Sequence, residues 1–436
     1  MKKANDFKVW ALGVGVAGSL FGVSLAQELT LWYSPLVYEN PARAPFETWV
    51  EENAPAALPE GYTLTKDYGP PTYDEVEQRY IVQARSGKPD VVEGVLENMI
   101  ALQKAGLIQP VTEQFEGWEE KDQFIPSTID ALTIDGELYG LPYNSNARVL
   151  LYRKDILEKH GLEVPKTWDE LLNVASTITE NEESMYGLGL TTAAGSPRTF
   201  QEFISFFFQV NGGENMFTRD EGSEQWTLNT TPELLTQVLK LYEDSYFAAD
   251  PSAVNVDERG SDYTATDLNY VSGKTAMVPM GPWIYSYREQ DETARSIIEE
   301  NTGIIALPLP EGGTQATYLE VKPIMINTAS EHPEAAWEIT KMLASAEHIQ
   351  LVSTLTGVNP PRSDVADSAE FKDDWWQQAF VEQLPTGVAL APVNWGFVSN
   401  DLTDAVQRVI YQEATPEEAA QELYDTLLER AENGQL

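Results

Sequence analysis

Apolar residues recur along this chain at two spacings. Leu29-Thr-Leu-Trp-Tyr33 and Tyr62-Thr-Leu-Thr-Lys66 read as short strands, with a helix expected over Pro41 to Asn53 between them. Thr72-x-x-Glu75 is a capping box that opens a helix with Val76, Tyr80, Ile81 and Ala84 on one face. Lys88-Pro-Asp-Val-Val92 reads as a strand, followed by a helix through Leu96, Ile100 and Leu102 that ends at Gly106. The same grammar returns further on. Val149-Leu-Leu-Tyr152 reads as a buried strand, and Thr167-x-x-Glu170 caps a helix carrying Trp168, Leu171, Leu172, Ala175 and Ile178 at helical spacing. Phe200 to Val210 is a buried helix that stops at Asn211-Gly-Gly213, and Thr231-Pro232 starts another running to about Tyr246. Gly303 to Leu307 and Ile324-Met-Ile326 read as strands, Pro333 to Leu343 as a helix, and Thr415-Pro-Glu-Glu418 caps the last helix.

Strands alternating with helices predict an α/β protein with mainly parallel sheets. At 436 residues the chain is long enough for two or three domains or two large lobes. No 20–50-residue repeat is visible, and no low-complexity linker divides the chain. Pro and Gly cluster instead at 140–142, 308–313 and 357–361, which read as crossings between two lobes.

Residues 1–26 stand apart. Lys2, Lys3 and Lys8 precede an apolar run from Val9 to Val23, and Ser24-Leu-Ala26 offers a small-x-small cleavage pattern before Gln27. The run is shorter than the roughly 20 residues that span a bilayer. It is expected to be a cleaved signal peptide. With no Cys at the cleavage point to carry a lipid, the mature chain is expected free in a periplasm.

Charge narrows the function. There are 69 Asp and Glu against 28 Lys and Arg, a net charge of −41, which excludes a nucleic-acid or anionic-membrane binder that works by displacing counterions. It suggests a saline setting, where screening limits self-repulsion. With no Cys and three His, no metal site, cofactor or Cys nucleophile is expected, and no GxSxG elbow is present.

Leu29-Thr-Leu-Trp32, Pro89-Asp-Val-Val92 with Ala105-Gly-Leu107, Tyr139-Gly-Leu-Pro142, Leu151-Tyr-Arg-Lys-Asp155, Pro165-Lys-Thr-Trp-Asp-Glu170, Gly273-Lys-Thr-Ala-Met277 with Gly281-Pro-Trp283, Pro333-Glu-Ala-Ala-Trp337 and Pro416-Glu-Glu-Ala419 follow one another in an order and spacing that carry a resemblance. The chain resembles the extracellular solute-binding proteins of ABC importers, in the carbohydrate-binding branch that includes the maltodextrin-binding proteins. The resemblance spans nearly the whole mature chain. It implies the two-lobe periplasmic binding protein fold with three inter-lobe crossings. The expected lobes are 27–143 with 307–358 and 144–306 with 359–436. A ligand would lie between the lobes and be trapped by hinge closure. The implied partners are a small carbohydrate and the membrane permease subunits, with the protein itself a monomer and not an enzyme.

A sugar presents flat C–H faces and a rim of hydroxyls, so aromatic platforms and hydrogen-bonding side chains are sought. The resemblance places a stacking aromatic at Trp283, which is otherwise a core residue. Trp395, in Pro392-Val-Asn-Trp-Gly396, is a second platform or a lid over the core. Trp32 is expected to face the first lobe's interior, leaving Tyr33 and Ser34 at the strand's C-terminal end as ligand candidates. Polar contacts are expected from Glu93, Glu97 and Asn98. The family's acidic hydroxyl acceptor falls on Glu97, and its acidic contact elsewhere falls on Asn146. Gly94 stands where the family has an aromatic, which puts maltodextrin specificity itself in doubt. Arg148 either reaches the cleft or pairs with a neighbouring acid, and Glu320 precedes a strand at the first-lobe rim. Three alternatives stay open. Glu93, Glu97 and Glu320 could hold a cation such as a polyamine. Paired carboxylates could serve an exported glycan-active enzyme, though acids this abundant pair by chance. The domain could also be purely structural or sensory. A phosphorylated ligand is disfavoured, because the presumed cleft segments hold few basic residues besides Arg148.

Overall fold

The computed structural model describes residues 26–33, 43–68, 73–220, 223 and 225–436, so the leader segment, Ser34 and the Thr72 cap lie outside the described residues. The first sheet collects β1 (Gln27–Tyr33), β2 (Tyr62–Tyr68) and β3 (Val91–Glu93) with β4 (Leu141–Ala147), β9 (Thr317–Ile326) and β10 (Gly387–Val388) from distant parts of the chain. Helices α1 (Arg43–Ala57), α2 (Tyr73–Gln83) and α3 (Leu96–Lys104) connect the early strands. The second sheet has the order β8 (Thr302–Ala306), β5 (Val149–Arg153), β7 (Thr275–Met280), β6 (Tyr186–Leu188). Around it lie α4 (Trp168–Asn181), α5 (Pro197–Val210), α6 (Pro232–Phe247) and α7 (Tyr263–Val271). Helices α8 (Pro333–Leu343) and α9 (Ala346–Thr356) follow β9, and α10 (Trp395–Ile410) and α11 (Pro416–Glu432) end the chain. Two sheets with their own helices make the two-lobe α/β architecture.

The sheets are mixed, which corrects the expectation of mainly parallel pairing. β1 runs parallel to β2 and β3, whereas β9 is antiparallel to both β3 and β4. In the second sheet β5 is antiparallel to β7 and β8. The reason is how strands enter. β4, β5, β8 and β9 lie where the chain passes from one sheet to the other, so no helical crossover fixes their direction. A single residue, Arg148, separates β4 from β5, and residues 307–316 join β8 to β9. β9 is also longer than the Ile324–Ile326 stretch its apolar pattern predicts, and Glu320 lies inside it. Glu320, Lys322 and Pro323 hide the strand in the sequence, and the register shifts between Lys322 and Pro323, where proline cannot donate to the ladder.

Local signals read from the sequence recur as bonds. Thr167 caps α4 by accepting from the Glu170 amide at 3.2 Å. Thr415 and Glu418 complete a capping box on α11. Trp32 is buried and meets Tyr80 edge to face at 6.3 Å. Among the described residues, no helix is long and apolar enough to cross a membrane.

The segment after α9 is pinned by side chains. Buried Arg362 donates to Asp364 at 3.0 and 2.8 Å, to Glu120 at 2.8 Å and to the Ala344 carbonyl at 3.1 Å. Gln377 donates to the carbonyls of Ser353, Gly357 and Val358 and so fixes the segment that leaves α9. Helix α5 is buried almost throughout, including Glu202. One Glu202 oxygen accepts from the Thr191 amide at 3.0 Å, and the other has no hydrogen bond. Burial outweighs the pull of nearby Arg198 and pushes the Glu202 carboxyl up to about 8.

Arg362→Ala should lower stability by about 2–3 kcal/mol in denaturant unfolding, because it strands the Ala344 carbonyl and removes charge-assisted bonds from two acids. Glu202 makes a second prediction. Its carboxyl takes up a proton in the folded state that the unfolded chain has lost, so stability falls as pH rises from about 4.5 to about 8. Glu202→Gln keeps an acceptor for Thr191 and should remove that slope. The variant should exceed the wild type by a few kcal/mol at pH 9 and match it near pH 4.5, as thermal or chemical melts across this range will show.

Candidate functional site

The antiparallel register of β4 and β9 sets Asn146 opposite Glu320 and Asn144 opposite Lys322. Residues two apart on a strand share a face, and opposed residues project to the same side. This puts two amides, a carboxylate and an ammonium on one surface at the junction of the lobes. Lys322 lies 3.8 Å from Glu320. Arg148, directly after β4, is 1% exposed. Its guanidinium donates to Asn146 Oδ1 at 2.5 Å, to Glu320 Oε2 at 3.0 Å and to Gln201 Oε1 of α5. Gln201 in turn donates from Nε2 to Glu97 Oε1 at 3.0 Å, linking α5 to the first turn of α3.

Trp283 arrives from the other side. β7 ends at Gly281-Pro-Trp283, where the chain enters a 3-10 turn over Pro282–Glu289. A Cβ on residue 281 would sit 1.8 Å from the Trp283 ring, so glycine there lets the indole fold back over its own backbone. The indole N–H donates to Asp267 of α7 at 3.1 Å, and Asp267 pairs with Arg198 of α5 at 3.3 Å. Both Arg198 and Arg148 lie against the indole ring, 4.4 and 4.6 Å from its centroid.

Electrostatics divide the acids. For Glu320, burial works against ionisation, but Lys322 and Arg148 outweigh it and hold the carboxyl well below the usual range. Glu97 moves the other way. Burial and the neighbouring Glu320 charge raise it, and the bond from Gln201 and the adjacent Tyr318 hydroxyl only partly oppose them. Burial raises Asp267 as well, despite Arg198. Among the described residues, the Asn144 side-chain amide finds no hydrogen-bond partner for either atom, and Arg148 Nε finds none. The site therefore offers aromatic surface next to hydrogen-bond donors and acceptors of both charge signs.

The structure brings Glu97, Asn146, Glu320 and Trp283 together. Arg148 does both things the sequence left open, pairing with Glu320 and reaching the site. Tyr33 and Glu93 are buried neighbours at the C-terminal ends of β1 and β3, and burial together with Glu93 raises the Tyr33 hydroxyl. Asn98 is buried on α3. Trp395 is different. It is wholly buried in the second-lobe core between Phe200 and Phe217, with centroids 5.4 and 5.6 Å away, and its N–H donates to the Ala391 carbonyl at 2.8 Å. In this arrangement it is a core residue and presents no free platform. The expectation of few basic groups also needs correcting, since Arg148, Arg198 and Lys322 all converge here. Each already pairs with a carboxylate.

Sequence reasoning missed Arg198, Gln201, Asp267, Tyr318 and Lys322. One signal was available. Arg198, Gln201, Ser205 and Gln209 recur three to four residues apart along α5, with Glu202 beside Gln201, forming a polar stripe on an otherwise apolar helix, and all are buried.

Residues 59–378 match the family model of the bacterial extracellular solute-binding proteins. An uncharacterized ABC transporter extracellular-binding protein of Pyrococcus horikoshii is 25% identical over 288 residues, 60% of this chain and 63% of that one. A maltotriose-binding protein of Pyrococcus abyssi is 25% identical over 278 residues, 62% of this chain and 54% of its own length. Among solved structures, an ABC transporter solute-binding protein of Thermotoga lettingae bound with alpha-D-tagatose superposes with a TM-score of 0.78, covering 93% of this chain and all of that one at 24% identity. The family match covers most of the chain, and the two-lobe fold agrees with it: this protein belongs to the bacterial extracellular solute-binding protein family.

Proposed function

We propose that this protein is the substrate-binding component of an ABC importer, holding a neutral mono- or oligosaccharide between its lobes and delivering it to the membrane permease without chemical change. The observation that carries this reading is the buried set around Trp283: an indole fixed by Asp267, with Arg148, Asn146, Glu97 and Glu320 beside it. A pyranose or furanose face stacks on indole, while its hydroxyls both donate and accept. The names of relatives that bind maltotriose and tagatose support the ligand class. Gly94 stands where the maltodextrin-binding proteins have an aromatic, which speaks against a copy of that site.

The proposed contacts are Trp283, Glu97, Asn146 and Glu320, with Tyr33, Glu93 and Asn98 as further candidates and Ser34 a candidate by its place in the sequence alone. The proposed lobes are 27–143 with 307–358 and 144–306 with 359–436. Residues 1–26 would direct export to a periplasm and be removed, and the protein would act as a monomer. A polyamine is the weaker reading. Arg148 and Lys322 already neutralise Glu320, so a cationic ligand would enter beside two fixed cations.

Titration calorimetry or tryptophan fluorescence against a panel of mono- and oligosaccharides should find a ligand whose affinity changes little between low and high salt, whereas a cationic ligand would weaken. Trp283→Ala should weaken that ligand by about 1–3 kcal/mol, roughly 5- to 150-fold in Kd. A panel without a response, or an unchanged Kd in the variant, would overturn the assignment.

A further inference from the structure

Arg148 occupies an unusual place. It is the one residue between a strand of the first sheet and a strand of the second: Ala147 pairs with Leu319 in the first, and Val149 pairs with Met280 and Ala306 in the second. Its own carbonyl accepts from Thr317 Oγ1 at 3.1 Å, at the start of the neighbouring connector strand β9. The backbone at this point passes directly from one sheet to the other. The side chain does something a hinge does not require. It binds Glu320 on the first sheet, binds Gln201 on α5, which follows β6 of the second sheet, and lies over Trp283. Gln201 passes the connection on to Glu97 of α3.

We propose that Arg148 is a positioning residue that couples occupation of Trp283 to lobe closure. The inference rests on the carbohydrate reading only for its ligand. The guanidinium is planar and offers several donors in a fixed fork, so while α5 stays packed on β9 it satisfies Glu320, Asn146 and Gln201 together and holds Gln201 where it reaches Glu97 of α3. Opening the lobes separates Gln201 from Glu97. Each bond that exists only in the closed form adds to the closed population. A ligand seated on Trp283 packs beside the same guanidinium and holds it in that orientation. By linkage, whatever Arg148 adds to closure it also adds to affinity. Arg198 plays no such part. It fixes the indole through Asp267 within elements of the second lobe alone.

The test compares Arg148→Gln and Gln201→Ala with the wild type. The chain has no Cys, so one introduced thiol on each lobe reports closure by single-molecule energy transfer without background labelling. Without ligand, both variants should shift towards the open distribution. With maltotriose as probe, both should raise Kd about 10- to 100-fold while the fluorescence change at saturation stays that of the wild type. The double variant should be no weaker than Arg148→Gln alone, because the two side chains act in one chain of bonds. Gln201→Ala keeps the Arg148–Glu320 pair, so it reports even where Arg148→Gln folds poorly. Should the wild type not bind maltotriose, that sugar alone is excluded as the ligand, and the ligand-free distributions still decide the role of Arg148. Unchanged distributions in both variants, or additive losses in the double variant, would overturn the coupling.

Discussion

Placing a guanidinium out of water at the meeting point of two lobes is costly unless its charge is paired and its donors are used. Arg148 meets that demand through both terminal nitrogens of its guanidinium, with partners drawn from β4, β9 and α5. Around it, Lys322 shares Glu320, and Gln201 reaches Glu97. Removing any one of these leaves another buried group without its counterpart. The junction therefore has few arrangements in which every charge is compensated, and that restricts how the lobes can sit when closed.

Trp283 depends on a second, separate set. Gly281 allows the indole to fold back, Asp267 takes its N–H, and Arg198 fixes Asp267. As the platform proposed above, an indole so held would keep its shape while the lobes moved, and affinity would be gained without ordering costs at the moment of binding. One set pre-forms the surface, and the other joins the two halves over it. Together they suit a polyol better than a strongly charged guest, since each cation present is already committed to an acid.

Much of the fold was legible because local rules were obeyed. Thr167 and Thr415 cap the helices that their spacing indicates, and the Pro and Gly clusters at 140–142 and 308–313 lie near Arg148 and residues 307–316, where the chain passes between sheets. The failures have a common cause in the crossings. β9 carries Glu320, Lys322 and Pro323, which interrupt any apolar run, yet the strand is buried because both its faces meet other elements. Strand direction was misjudged for the same reason. For the proposed site, Trp283, Glu97, Asn146 and Glu320 were candidates through the resemblance and are linked in the fold through Arg148 and Gln201, whereas Arg198, Gln201 and Asp267 act through partners distant in sequence. Trp395 shows the opposite error: flanking Pro and Gly resemble a binding loop, but the ring is taken up by Phe200 and Phe217.

The most direct test is a crystal structure of the protein purified from its exporting host without refolding, solved before and after exhaustive dialysis. The account predicts a sugar ring stacked on Trp283 with hydroxyls bonded to residues of both lobes, and a wider angle between the lobes once it is removed. One fixed lobe orientation in both crystals, or a ligand bound away from Trp283, would contradict it.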